Sequence, residues 1–260
     1  MFRRERTIFE GDTGLEHYQV VDMKYEGRPA RVLFTNHHRA AQSGMATDGK
    51  PELLFDYNQR FFELAKSSQP ENILIVGGGT YTLPTALIRV LPRTTIDVVE
   101  IDSGLDVIAR QFFGLVRYKR LNIIHTDGRN YLESTTQRYD LVIIDAFNGT
   151  EIPYELTTIQ ATIALEQHLK PKGIVAMNII GTYYGRSMRL RSVQAAYQQT
   201  FTDVCIHQAD DAVSLLVSQN FVIIGQKTSV PYHMQTPRLS LHKTTVDNLL
   251  LDSPRTEIHV

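Results

Sequence analysis

Apolar positions change their spacing once along this chain, near residue 50. Before it they fall in short runs rich in β-branched and aromatic side chains, at residues 7–10, 18–25 and 30–34. Breaks at 11–14 and at Glu26-Gly27-Arg28-Pro29 separate the runs. That pattern predicts strands, the second and third joined as a hairpin. Residues 1–50 are therefore expected to form a small N-terminal β-domain. From Pro51 the spacing turns helical, with Leu53, Leu54, Tyr57, Phe61 and Leu64 on one face of a helix that ends before Pro70.

Beyond that helix, apolar runs alternate with helical segments. Strands are predicted over 73–76, 96–100, 121–125, 141–145 and 174–178. Helices are predicted to open near Pro84, a residue suited to a first helical turn, and to span 105–113 and about 157–169. The rhythm argues for an α/β domain over 51–260, a mainly parallel sheet with helices on both faces. A helix over 189–200 follows, and the runs at 204–207 and 221–224 are expected to close the sheet antiparallel. After Thr228 the chain reads as an irregular tail, with a helical turn over 246–251.

Composition narrows the function classes. Apolar and charged fractions of 42% and 21% are ordinary for a globular protein. A formal net charge of −1 leaves no electrostatic footprint for nucleic acid or an anionic membrane. Arg3-Arg4 and the basic stretch 186–191 read as solvated surface. The single cysteine, Cys205, excludes an internal disulfide framework, and its apolar neighbours make it a buried thiol suited to a reducing compartment. The N-terminus lacks the apolar run of a signal peptide and no run is long enough to span a membrane, so the expectation is a cytoplasmic protein. No metal site is expected: His37-His38 are adjacent and the other histidines show no ligand spacing.

In an open parallel sheet, ligands bind beyond the carboxyl ends of the strands, and the residues just after each strand form a coherent set. Gly77-Gly78-Gly79 follows the first, where glycines let the backbone approach a ligand. Thr82 stands where a dinucleotide fingerprint needs its third glycine, which disfavours NAD. Glu100 ends the second strand about twenty residues on, placed to accept from both ribose hydroxyls of a nucleoside. Asp127-Gly128 follows the third, an acid suited to the exocyclic amine of adenine beside a glycine that admits the ring. Asp145 ends the fourth after four apolar residues, and is the leading candidate for handling an amine nucleophile. The loop 146–154 after it is long enough for a lid. Each has a plainer alternative: a tight turn, a surface acid, an Asp-Gly turn, a helix cap. Tyr183-Tyr184 reads as a packed pair, and the phenylalanines at 61, 62, 112 and 113 as core.

The order of these residues resembles the spermidine synthase family, especially its divergent spermidine synthase-like branch. The matching stretches include Glu16-His17-Tyr18-Gln19, Gln42-Ser43-Gly44, residues 51–57, 73–79 and 98–102, Asp127-Gly128 and 139–153. The resemblance implies a small β-domain packed on a methyltransferase-like Rossmann domain, in a homodimer. It implies S-adenosylmethionine or its decarboxylated form as co-substrate and a small amine as acceptor. Gln42, Glu100 and Asp127 would then contact the nucleoside, beside the glycine run and Thr80, while Asp145 and Tyr57 would orient and deprotonate the amine. Two departures stand out: Thr80 and Asn148 occupy positions where true spermidine synthases carry acids that grip amines. Three readings therefore stay open: aminopropyl transfer, methyl transfer on the same scaffold, and a non-catalytic nucleoside-binding protein.

Overall fold

The computed structural model describes residues 5–35, 41–49, 53–149, 151–184, 188–234, 237–239 and 250–252. Arg3-Arg4, the His37-His38 pair, Arg186 and most of the turn expected over 246–251 lie outside these. The first four strands, β1 (Arg6–Asp12), β2 (His17–Tyr25), β3 (Arg28–Thr35) and β4 (Ala41–Ala46), form an antiparallel sheet in the order β1-β2-β3-β4. The predicted hairpin joins β2 to β3 through Glu26-Gly27. β1 runs on into the segment read as a turn, and β4 is a strand that the spacing did not predict.

Next come α1 (Asp56–Ser68), β5 (Asn72–Val76), α2 (Thr82–Val90), β6 (Thr95–Glu100), α3 (Gly104–Phe112), β7 (Leu121–His125), α4 (Gly128–Ser134) and β8 (Tyr139–Ile144). A short 3-10 turn (Tyr154–Leu156), α5 (Ile159–Gln167), β9 (Leu169–Gly181), α6 (Met188–Thr200), β10 (Asp203–Gln208), β11 (Gln219–Gln226) and β12 (Arg238–Leu239) complete the chain. The second sheet has eight strands in the order β12-β10-β11-β9-β8-β5-β6-β7. β7, β6, β5, β8 and β9 pair in parallel, and β11 enters antiparallel between β9 and β10. Strand order reverses between β5 and β8, and the crevice at such a switch point is where an open α/β sheet takes its ligand.

The apolar runs explain the layering. Side chains alternate along a strand, so a strand covered on both faces is apolar throughout. Ile73 and Ile75 pack with Phe61 and Leu64 of α1 and with Leu87 of α2. Leu74 and Val76 face the other way, toward Leu132 of α4, Leu165 of α5 and Val193 of α6. Tyr18, Val20 and Leu33 of the small sheet join the first of these clusters, so the two sheets share a core. Phe61 and Phe113 are buried as expected, with Phe62 and Phe112 half-buried against them. Tyr183 packs against Phe221 and meets Tyr184 edge-on, but Tyr184 itself is exposed. Cys205 is buried and bonded to the Tyr232 hydroxyl, with its thiol pKa raised by burial. Among the described residues no helix is long and apolar enough to cross a membrane.

Candidate active site

A hollow of about 380 Å³ lies at the carboxyl ends of β5, β6 and β8, roofed by the small sheet. Val76, Gly77, Val99 and Gly128 line its floor, Tyr18, Leu33, Thr35 and Gln42 its roof, and Phe147, Asn148 and Gly149 one flank. Hydrogen bonds at its edges help to fasten the roof. Thr13 Oγ1 donates to Asp102 Oδ2 at 2.5 Å, and Gln42 Nε2 donates to the Gly149 carbonyl at 2.8 Å. The wall is anionic: Glu16, Glu100, Asp102, Asp127 and Asp145 line it, and among the described residues no Lys, Arg or His does.

Most of the expected binding residues meet here. Gln42, Gly77, Gly79, Glu100, Asp127, Gly128 and Asp145 all border the hollow. Glu100 has a further task that its position alone did not reveal. One oxygen accepts from the Gly78 and Gly79 amides at 2.7 and 3.3 Å, and the other from the Asp102 amide at 2.9 Å. The carboxylate therefore shapes the glycine loop from beneath. Burial pushes its pKa up and those amides pull it back. Asp127 caps α4 by accepting from the Asn130 amide at 2.9 Å, where the plainer reading was an Asp-Gly turn, and it still faces the hollow. Gly78 and Thr80 are the exceptions, both outside the lining: Gly78 turns its amide to Glu100, and the Thr80 hydroxyl is buried against Ser43 Oγ at 2.6 Å on β4. A short β-hydroxyl turned to the neighbouring strand serves to hold the two sheets together.

Asp145 sits where the hollow meets a smaller one beside α1. Its Oδ1 accepts from Asn178 Nδ2 at 3.1 Å, and the Tyr57 hydroxyl donates to the same carboxylate. Burial raises its pKa to about 7, against the pull of those two bonds. Burial and the neighbouring Asp145 charge hold the Tyr57 hydroxyl protonated. Tyr57 lies behind Asp145 as seen from the main hollow. With Tyr25, Phe55 and Asn220 it lines a second hollow, of about 150 Å³, whose remaining walls include Glu26, Asp56 and Asp210. Burial and the mutual repulsion of these acids raise the pKa of Glu26 and Asp56. A bond from Asn220 Nδ2 to Asn178 Oδ1 at 2.9 Å connects this hollow to Asp145.

The model of the spermine/spermidine synthase domain matches residues 55–209, more than half of the chain. The chain belongs to this family. Its relatives include the polyamine aminopropyltransferase of Vibrio vulnificus, 30% identical over 63% of this chain and 52% of that protein. The human eEF1A lysine and N-terminal methyltransferase is 27% identical over 57% of this chain but only 21% of that protein. The structure of a probable spermidine synthase from Corynebacterium glutamicum superposes with a TM-score of 0.73 at 22% identity, over 85% of this chain and 81% of the other, a likeness of fold. The chain spans about half the length of curated polyamine aminopropyltransferases that it matches.

Within this member of the spermidine synthase family, three asparagines escaped the sequence reading. Asn58, Asn178 and Asn220 each approach Asp145 directly or through one bonded partner. Asn178 had a signal, since it is a polar residue inside the apolar run of β9 and a buried amide needs partners. Asn58 and Asn220 had none.

Proposed function

We propose that the chain transfers an aminopropyl group from decarboxylated S-adenosylmethionine to a small primary amine, with Asp145 as base. The observation that carries this reading is the charge of the main hollow. A sulfonium and an ammonium both suit walls bearing five carboxyl groups and no described cation, whereas the additional carboxylate of S-adenosylmethionine would meet repulsion there. Glu100 and the glycine loop would border the ribose and Asp127 the adenine, with Gln42 above. The acceptor would enter through the second hollow, where Glu26, Asp56 and Asp210 suit an ammonium and the rings of Tyr25, Phe55 and Tyr57 suit its alkyl chain.

In the reaction the amine nitrogen attacks the chain carbon bonded to sulfur. A carbon–nitrogen bond forms, and the carbon–sulfur bond breaks with its electron pair left on sulfur as the neutral thioether methylthioadenosine. The proton lost from nitrogen goes to the Asp145 carboxylate. The sulfonium already activates the carbon, so the protein's main contribution is alignment. Family membership and the buried thiol of Cys205 also support a homodimer working in the cytoplasm.

The test is calorimetric titration with both sulfonium ligands, followed by product analysis with a linear diamine. Tighter binding of the decarboxylated ligand and release of methylthioadenosine are expected. Preference for S-adenosylmethionine with release of S-adenosylhomocysteine would replace this reading by methyl transfer, which the likeness to the human methyltransferase favours. A second expectation concerns the acceptor side. Asp56→Asn together with Asp210→Asn should raise the diamine KM about tenfold or more, as lost charge-assisted bonds do, and leave affinity for the sulfonium ligand unchanged. An unaltered KM would remove the second hollow from the acceptor path.

A further inference from the structure

Residues 250–252 lie across the outer side of the wall proposed for adenine, and Asp252 is their anchor. Its two carboxylate oxygens accept from the Arg129 guanidinium, Nη2 at 2.6 Å and Nη1 at 3.3 Å. This is a forked ion pair whose arginine side chain is only 13% exposed. Asp252 Oδ1 also accepts from Thr158 Oγ1 at 2.6 Å, and the Asp252 amide donates to Gln160 Oε1 at 3.0 Å. Two carbonyls complete the strap: that of Leu250 accepts from the Ile159 amide at 2.9 Å, and that of Leu251 from the Tyr154 hydroxyl at 2.5 Å. The Ile159 amide opens α5 and has no partner within the helix, and a carboxylate suits that positive end. Arg129 Nη1 donates in addition to the Glu155 carbonyl at 3.1 Å.

One carboxylate thus ties α4, the 3-10 turn and α5 together. Two of these carry wall residues of the main hollow: Asp127 and Gly128 at the start of α4, Pro153 and Leu156 at the turn. Gly128 and Leu156 are neighbours, since a Cβ at Gly128 would stand 3.7 Å from Leu156 Cδ1. The glycine loop, Glu100 and Asp145 are set instead by the ends of β5, β6 and β8, and none of these bonds reaches them. We infer that Asp252 is a positioning residue for nucleoside binding: through Arg129 and Thr158 it fixes the spacing of α4 and the 3-10 turn, and so the width of the slot that receives the base. The inference rests on the adenosyl-sulfonium reading given above and adds a determinant that touches no ligand. An unstrapped turn would let Leu156 move away from Gly128, at a cost in affinity for the adenosine part. The chemistry at Asp145 would be unaffected once the ligand is bound.

Two variants of the full chain test this, Asp252→Ala and Lys170→Met. The second breaks the Lys170–Asp140 pair of 2.8 Å, a partly exposed ion pair at the amino end of the sheet. By calorimetry Asp252→Ala should bind methylthioadenosine about tenfold more weakly, the size of one lost charge-assisted bond, and Lys170→Met as tightly as the unaltered chain. With a linear diamine as acceptor, KM for decarboxylated S-adenosylmethionine should rise by about the same factor while kcat stays within about twofold, the pattern of lost binding that ground and transition states share. Amide hydrogen exchange on the ligand-free protein gives an independent reading. The Leu156 and Thr157 amides should exchange about tenfold faster in Asp252→Ala, and the Val98 amide of the central sheet at the rate of the unaltered chain. Faster exchange with unchanged affinity would make the strap merely structural and overturn the inference. So would unchanged exchange, a fall in kcat matching the rise in KM, or equal weakening in Lys170→Met. If the unaltered chain binds no methylthioadenosine, the adenosyl-sulfonium reading fails and the inference with it, while the exchange rates still tell whether the strap holds the turn.

Discussion

Asp145→Asn should lower kcat by about 10²–10⁴, the span that a positioned general base supplies, and should weaken the sulfonium ligand far less, since four other carboxyl groups line the hollow. The two effects separate because the carboxylate acts on the acceptor's proton, whereas the adenosine part of the ligand would rest on other walls. The rate of the unaltered chain should depend on pH in a way the variant's does not. Burial raises the Asp145 pKa to about 7, so the base is protonated and idle below that value, and kcat should climb as pH rises through it. Loss of this limb in Asp145→Asn is the specific signature.

Stability should move in the opposite sense. An acid whose pKa is raised in the fold keeps its proton there up to about pH 7, while the unfolded chain releases it near 3.8. Across that window the unfolded state binds fewer protons, so this group makes the native state progressively less stable as pH increases. Above pH 7 the asparagine variant, which has no charge to bury, should melt no lower than the unaltered protein. Activity lost together with a large fall in Tm at pH 8 would mean that Asp145 is structural, its bonds to Asn178 and Tyr57 serving the fold.

The parts of this molecule that could be read from the chain are those whose meaning is local or periodic. The central strands are covered on both faces, so Ile73 to Val76 and Leu141 to Ile144 announce themselves as unbroken apolar runs. The acids at 100, 127 and 145 were legible because strand ends fix where side chains emerge at a switch point. β4 was not legible: Ala-Gln-Ser-Gly-Met-Ala has no β-branched or aromatic residue, and only pairing with β3 makes it a strand. α4 is too short to show a period, and its one sign was the cap at Asp127. Thr80 reads as part of a loop at the ligand, yet a partner 37 residues earlier in the chain turns it away. The asparagines around Asp145 were equally hidden, because what distinguishes them is the partner each meets or lacks in space.

Gly77→Ala should be the most damaging single change in the glycine run, removing ligand binding and lowering Tm by about 5–20 °C. Two costs add. Gly77 has φ +100°, a conformation that residues with a Cβ adopt only under strain of about 1–3 kcal/mol. The added methyl would also overlap the Asp145 carbonyl oxygen and stand 2.6 Å from its carbon and 2.9 Å from the Ala146 nitrogen, all backbone atoms. Neither segment can yield easily. The Gly77 amide is bonded to the Val99 carbonyl and the Asp145 amide to the Val76 carbonyl, each at 2.8 Å, so relief means breaking the sheet at its switch point. Overpacking of this kind costs about a further 1–3 kcal/mol. Gly114→Ala isolates the first cost, since Gly114 has φ +70° but open space around its Cβ position. It should lose a few degrees of Tm and no activity. If Gly77→Ala behaved like Gly114→Ala, melting slightly lower and still turning over, the backbone after β8 would be free to move, and a rigid base at Asp145 would be the wrong picture of this site.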